Sequence, residues 1–286
     1  MAMPDGRVLE YLATGPADGP ALVFHTGTPS SAVGLSGVTE AADALGLRLI
    51  GYSRPGYGRS TPRPGRSIAD AVEDVTALLD ELGVGEFRAL GWSGGGPHAL
   101  ACAALLPHRC RAAALIAGIA PYSARGLDFL AGMDQANIDE MGAAIAGLDE
   151  IEAFLRSEAE GLREVTGAEL AKGMGGLLSS VDRAAVTGTF ADELAVSFRG
   201  AVESGLEGWR DDDLAFVRDW GFAVSDIAVP VAVWQGRQDR MVPFAHGEWL
   251  AAEIPTAEAH LLEDEGHISL IAQIGEIVGD LAGLGT

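Results

Sequence analysis

From its start to about Pro121, the chain alternates short apolar runs with amphipathic stretches. Ala21–His25 (ALVFH) is apolar and ends in the turn-forming residues Thr26–Ser30, as a strand buried on both faces should. Leu47–Tyr52 repeats that form, and Arg7–Ala13 alternates loosely, which predicts an early strand. Ile68, Val72, Val75, Leu79 and Leu82 recur at helical spacing and predict a helix over Ser67–Leu82. Ser67 and Asp70 form a capping pair at its start, and Gly83 stops it. Phe87–Trp92 then predicts a strand, Pro97–Leu106 a small-residue helix and Arg111–Ile119 another strand. Such alternation implies a mostly parallel sheet with helices on both faces. It returns late in the chain, with strands over Val229–Gln235 and Ala257–Leu262 and helices over Phe244–Glu253 and His267–Leu281.

Between Pro121 and about Asp226 the strand-like runs vanish. Ile138, Met141 and Ile145, then Ile151, Phe154 and Leu155, fall at helical intervals, and Gly142, Gly147, Gly161, Gly167 and Gly173 divide the stretch into short helices. The organisation expected is a sheet domain over 1–120, a helical insertion over 121–226, and a return to the sheet domain over 227–286.

Composition narrows the choice of partners. The 286 residues are 48% hydrophobic and 21% charged, which suits a globular fold and excludes disorder. Lys and Arg total 19 against 41 Asp and Glu, a formal charge of −22, so neither nucleic acid nor an anionic membrane is an expected partner. Much of that acidity serves solubility. Cys102 and Cys110 make no disulfide framework and have no zinc-ligand spacing, which points to a reducing, cytoplasmic setting. Met1–Val8 lacks the apolar stretch of a signal peptide, and no run of about 18 apolar residues predicts a membrane span.

The sharpest local signal is Gly91-Trp92-Ser93-Gly94-Gly95, a G-x-S-x-G between a predicted strand and a predicted helix. A serine on so sharp a turn needs neighbours without Cβ atoms, and its hydroxyl needs a base held by an acid. Of the six histidines, His267 alone follows the last strand in a loop, and it is the expected base. Asp239, just after Val229–Gln235, is the expected acid. Asp264 lies too near His267 in sequence, and Asp211, Asp212 and Asp213 read as a solvated face or a helix start in the insertion. Consecutive side chains point apart, so that run predicts no metal site. The oxyanion of a tetrahedral intermediate needs donors, for which the backbone N–H groups of Gly94 and Thr28 are the candidates.

These residues, with the turn Arg54-Pro55-Gly56-Tyr57-Gly58-Arg59-Ser60, make the sequence similar to capped serine hydrolases of the α/β-hydrolase superfamily, such as esterases and proline iminopeptidases. The resemblance implies the α/β-hydrolase fold, with the insertion as a helical cap. It departs from the family pattern at Thr26, which precedes Gly27 where His is common, and at Ser53, where Asp is favoured. The function implied is hydrolysis of a small-molecule carboxylic ester through an acyl-enzyme, with no metal and no organic cofactor. The alternatives are an aminopeptidase holding a substrate ammonium through insertion carboxylates such as Glu203 and Glu207, a perhydrolase with the same triad, and a hydrolase-fold receptor for a small molecule. Serine at position 93 disfavours a haloalkane dehalogenase, whose nucleophile is an aspartate. Met133, Met141 and Phe154 are candidates for the pocket wall.

Overall fold

The computed structural model describes residues 1–32 and 35–285. Among these residues seven strands form one sheet: β1 (Tyr11–Thr14), β2 (Ala21–His25), β3 (Arg48–Tyr52), β4 (Phe87–Trp92), β5 (Cys110–Ile116), β6 (Val231–Gly236) and β7 (Ala257–Leu262). Their spatial order is β1-β3-β2-β4-β5-β6-β7, and only β1 runs antiparallel to its neighbour. The sheet-flanking helices are α1 (Ser36–Ala44), α2 (Ala71–Glu81) and α3 (Gly96–Leu105), with α10 (Phe244–Glu253) and α11 (Ile274–Gly283) late in the chain.

The two-residue side-chain period of a strand divides the core. Val23, Ala89, Val231 and Val233 face one layer, where Val75, Leu78 and Leu79 of α2 and Leu250 of α10 pack. Leu22, Phe24, Leu90 and Trp234 face the other, against Val38 of α1 and Ile277, Val278 and Leu281 of α11. Central strands buried on both faces have no polar side to show, which is why they read as unbroken apolar runs.

Several predicted boundaries move, each for a local reason. Helix α2 begins at Ala71 rather than Ser67, because Ser67 donates through both its N–H and its hydroxyl to Asp70 Oδ2 and closes a separate turn first. Gly83, at φ 66°, ends the run as expected. The strand predicted over Arg111–Ile119 stops at Ile116, since Ala117 turns to φ 51°. His267 lies in a loop. The helix predicted from it begins as a 3-10 turn at Ser269–Gln273 and becomes α-helical only at Ile274.

Between β5 and β6 the chain forms α4 (Gln135–Ala146), α5 (Leu148–Leu162), α6 (Gly167–Gly173), α7 (Ser180–Ala185), α8 (Gly188–Glu203) and α9 (Glu207–Phe216). Gly147, at φ 131°, separates α4 from α5, a backbone angle that a side chain would oppose. Helices α5, α8 and α9 enclose a small core of Ile151, Leu155, Val202 and Leu214, which Tyr57 of the sheet domain joins.

Candidate active site

The carboxyl ends of the central strands converge on Ser93. It begins a 3-10 turn, Ser93–Gly95, between β4 and α3, at φ 54°. A non-glycine residue in this left-handed region carries backbone strain, which the packed strand and helix on either side must hold. The flanking glycines are sterically required. A Cβ on Gly91 would lie 2.5 Å from the Gly95 carbonyl oxygen, and one on Gly95 would overlap the His25 carbonyl.

Two loops meet this turn. Gly27 faces the serine so closely that a Cβ there would sit 3.9 Å from Ser93 Oγ, while Gly94 packs against the Thr28 hydroxyl and the Phe216 ring. Thr28 and Gly94, the two candidate oxyanion residues, are therefore side by side. On the other flank, His267 Nδ1 lies 2.8 Å from Asp239 Oδ2, and both residues are buried. Met241 N and Val242 N donate to Asp239 Oδ1 at 2.8 and 2.9 Å, and Gln235 Nε2 donates to Oδ2 at 3.0 Å. The His267 ring packs on Trp92, the residue before Ser93, with centroids 6.0 Å apart. Burial pushes the imidazole pKa down, but the charge and hydrogen bond of Asp239, with the charge of Asp182, outweigh it and leave it raised above the ordinary 6.5.

The other acids and bases stand apart. Asp264 is exposed. His246 bridges Ala120 N and Phe129 O, and burial pushes its pKa down to about 4. His25 contacts Tyr52 and Cys102, and burial followed by the Arg54 charge pushes it down to about 3.

The expectation that Asp211–Asp213 form a solvated face is overturned. All three are buried, because α9 packs among other helices and each acid finds its own environment. Successive helical residues point about 100° apart, so neighbours in sequence meet different partners. Asp211 pairs with Arg210. Asp212 accepts from Arg54 Nη2 at 2.6 Å, the Tyr57 hydroxyl at 2.9 Å and the Thr28 hydroxyl at 2.8 Å, and pairs with Arg66 at 2.7 Å. Burial would raise the Asp212 carboxyl, but the Arg54 and Arg66 charges hold it far below the usual range. Arg54 also donates to the carbonyls of Thr26 and Gly27 at 2.6 and 2.8 Å. A clue existed in sequence: the Arg54 and Arg66 side chains in a chain short of cations require counter-charges if buried.

Asp213 faces a cavity of about 430 Å³ that Thr28, Ser93 and Gly94 also line. That volume suits a small organic ligand. Met133, Met141 and Phe154 are on its wall, whereas Glu203 and Glu207 are not. Four acids line it, Glu140, Glu158, Glu169 and Asp213, and among the described residues no lysine, arginine or histidine does. Trp209 Nε1 donates to Glu140 at 2.6 Å, but among the described residues no nitrogen or hydroxyl donor reaches either oxygen of Asp213. Burial first, and the Glu140 charge second, push Asp213 well up, and burial raises Glu140 too.

A family model described as alpha/beta hydrolase fold matches residues 20–272. Two curated relatives are matched over only 36% and 52% of their own lengths. Others are matched more fully. A pimeloyl-[acyl-carrier protein] methyl ester esterase of Aromatoleum aromaticum is 29% identical over 79% of this chain and 83% of its own. A bifunctional esterase/perhydrolase of Acinetobacter calcoaceticus is 26% identical over 87% and 85%. Among solved structures, the enol-lactonase of Burkholderia xenovorans LB400 superposes with a TM-score of 0.71 at 22% identity, covering 99% of this chain and 98% of that one, a likeness of fold. No helix among the described residues is long and apolar enough to cross a membrane.

Proposed function

The chain belongs to the alpha/beta hydrolase fold family, and from that premise we propose that it is a serine hydrolase of small carboxylic esters. The observation that carries this reading is the buried His267–Asp239 pair, packed on Trp92 beside a Ser93 that opens onto the cavity. His267 takes the hydroxyl proton as Ser93 attacks the ester carbonyl, and the N–H groups of Gly94 and Thr28 receive the oxyanion. Collapse expels the alcohol with the proton from His267 and leaves an acyl-serine. Water, deprotonated by the same imidazole, then releases the acid and restores Ser93. Asp239 holds the ring tautomer and stabilises the imidazolium. The insertion over 121–226 serves as the cap, because its helices supply most of the cavity wall.

The acids on that wall set the charge of the substrate. A second carboxylate on the acyl chain would meet these acids and, among the described residues, no cation, so neutral or cationic acyl groups suit the cavity better. A fluorophosphonate should label Ser93 alone, and labelling elsewhere or none in folded protein would sink the mechanism. Among p-nitrophenyl esters of similar length, the heptanoate and the ω-aminohexanoate should outrun the hydrogen pimelate by about tenfold or more in kcat/KM, since like charges a few ångströms apart repel by a few kcal/mol at a partly buried site. Equal rates would remove the charge filter. Multiple turnover itself separates an enzyme from a small-molecule receptor.

A further inference from the structure

Two buried carboxylates of the insertion reach past the cavity into the loops beneath it. Asp182, on α7, is wholly buried. Its Oδ1 accepts from Ile268 N at 2.7 Å and Ser269 N at 3.0 Å, the two peptides that follow His267. Its Oδ2 accepts from the Ser179 hydroxyl at 2.8 Å, which fixes the carboxylate plane from its own side. Ser269 in turn accepts from Gly266 N at 2.8 Å, so the loop closes around the histidine. Asp212, on α9, does the corresponding work at the other loop. It binds the Thr28 hydroxyl directly and Arg54 as an ion pair, and Arg54 grips the Thr26 and Gly27 carbonyls.

A strand end fixes where a loop begins but not the orientation of each peptide within it. An ionised carboxylate accepting two successive N–H groups does fix orientation, and such charge-assisted bonds are short and strong. We propose that Asp182 and Asp212 are positioning residues through which the insertion sets the His267 loop and the Thr26–Thr28 loop. The proposal rests on the serine-hydrolase reading and adds that the insertion determines the rate as well as the substrate. Asp182 has a second effect through its charge. The carboxylates that act on the His267 ring are Asp239, from the loop after β6, and Asp182, from α7, and both favour the imidazolium.

Asp182→Asn keeps the shape and an acceptor oxygen while removing the charge. NMR titration of the His267 imidazole should then fall by roughly half a pH unit or more, and the acid limb of kcat/KM should move with it. A lower Tm with the titration unmoved would overturn the Asp182 role. If that variant does not fold, Asp182→Glu keeps the charge and displaces the carboxylate by one methylene. It should lower kcat by about tenfold to a hundredfold, as misplacement of a catalytic group does. Wild-type kcat would overturn the proposal. For the other loop, Thr28→Val deletes the hydroxyl but leaves Asp212 paired with both arginines. We expect kcat to fall about tenfold with KM within about twofold, and a rise in KM alone would overturn it. The titration needs no turnover, so it tests the Asp182 arm even if Ser93 is not labelled and the hydrolase reading fails.

Discussion

The sheet domain and the helical insertion bury acids in opposite ways. In the sheet, Asp239 is enclosed by two backbone N–H groups of its own loop and the Gln235 amide of β6, and it faces a single base. In the insertion, Asp182, Asp211, Asp212 and Asp213 are all buried, and their partners lie mostly on other elements. The difference follows from backbone bonding. A central strand shares its peptides with neighbours and buries both faces, so acids appear only where the strand stops. A helix satisfies its own peptides, leaving side chains free to carry charge across an interface, provided each charge meets a partner.

The comparison can be broken most severely at the sheet end. Asp239→Asn should lower kcat by about 10⁴-fold with little change in Tm, because the amide favours the wrong tautomer and cannot stabilise the imidazolium. Steady-state kinetics beside a melting curve would check it, and survival of activity would move the acid elsewhere. Asp212→Ala should act on the fold as well as the rate. It leaves Arg54 and Arg66 without their carboxylate, and urea unfolding should show about 3–5 kcal/mol lost.

Acid titration probes the sheet domain. His25 and His246 are held neutral when folded, with pKa values pushed down to about 3 and about 4, against an ordinary 6.5. Unfolded histidines bind protons first as pH falls, so the stability these two give is complete above pH 6.5 and is lost progressively below it. By NMR neither ring should take up a proton in the folded protein above about pH 5, and protonation of either near pH 6.5 would contradict it.

Smaller effects sharpen the contrast within α9. Asp213 has its pKa raised, by burial and by Glu140, so it costs stability as pH rises above its unfolded value of 3.8. Asp213→Asn should therefore stabilise the protein at neutral pH by about 1 kcal/mol, opposite in sign to Asp212→Ala. Destabilisation by the asparagine would show that the carboxylate makes a bond the amide cannot. Arg156→Ala, which removes only an exposed pair with Glu152, should change unfolding by no more than about 0.5 kcal/mol.

What the amino-acid sequence determined by itself is what depends on neighbours in the chain. Short strand-like runs bounded by turn residues marked Ala21–His25, Phe87–Trp92 and Ala257–Leu262 at the bounds the fold adopts. The glycines around Ser93 announced a turn too tight for Cβ atoms, and the order of strands placed Asp239 and His267 each in a loop after a late strand. Tertiary structure alone decided which charges meet. Asp182 lies 86 residues before Ile268, and Asp212 lies 158 residues after Arg54. No periodicity links such positions, so Asp211–Asp213 looked like any solvated run. Packing of α9 removed those carboxylates from water, and once dehydrated each required a counter-charge, a donor or a retained proton. That requirement depends on burial, and burial depends on the whole chain being folded.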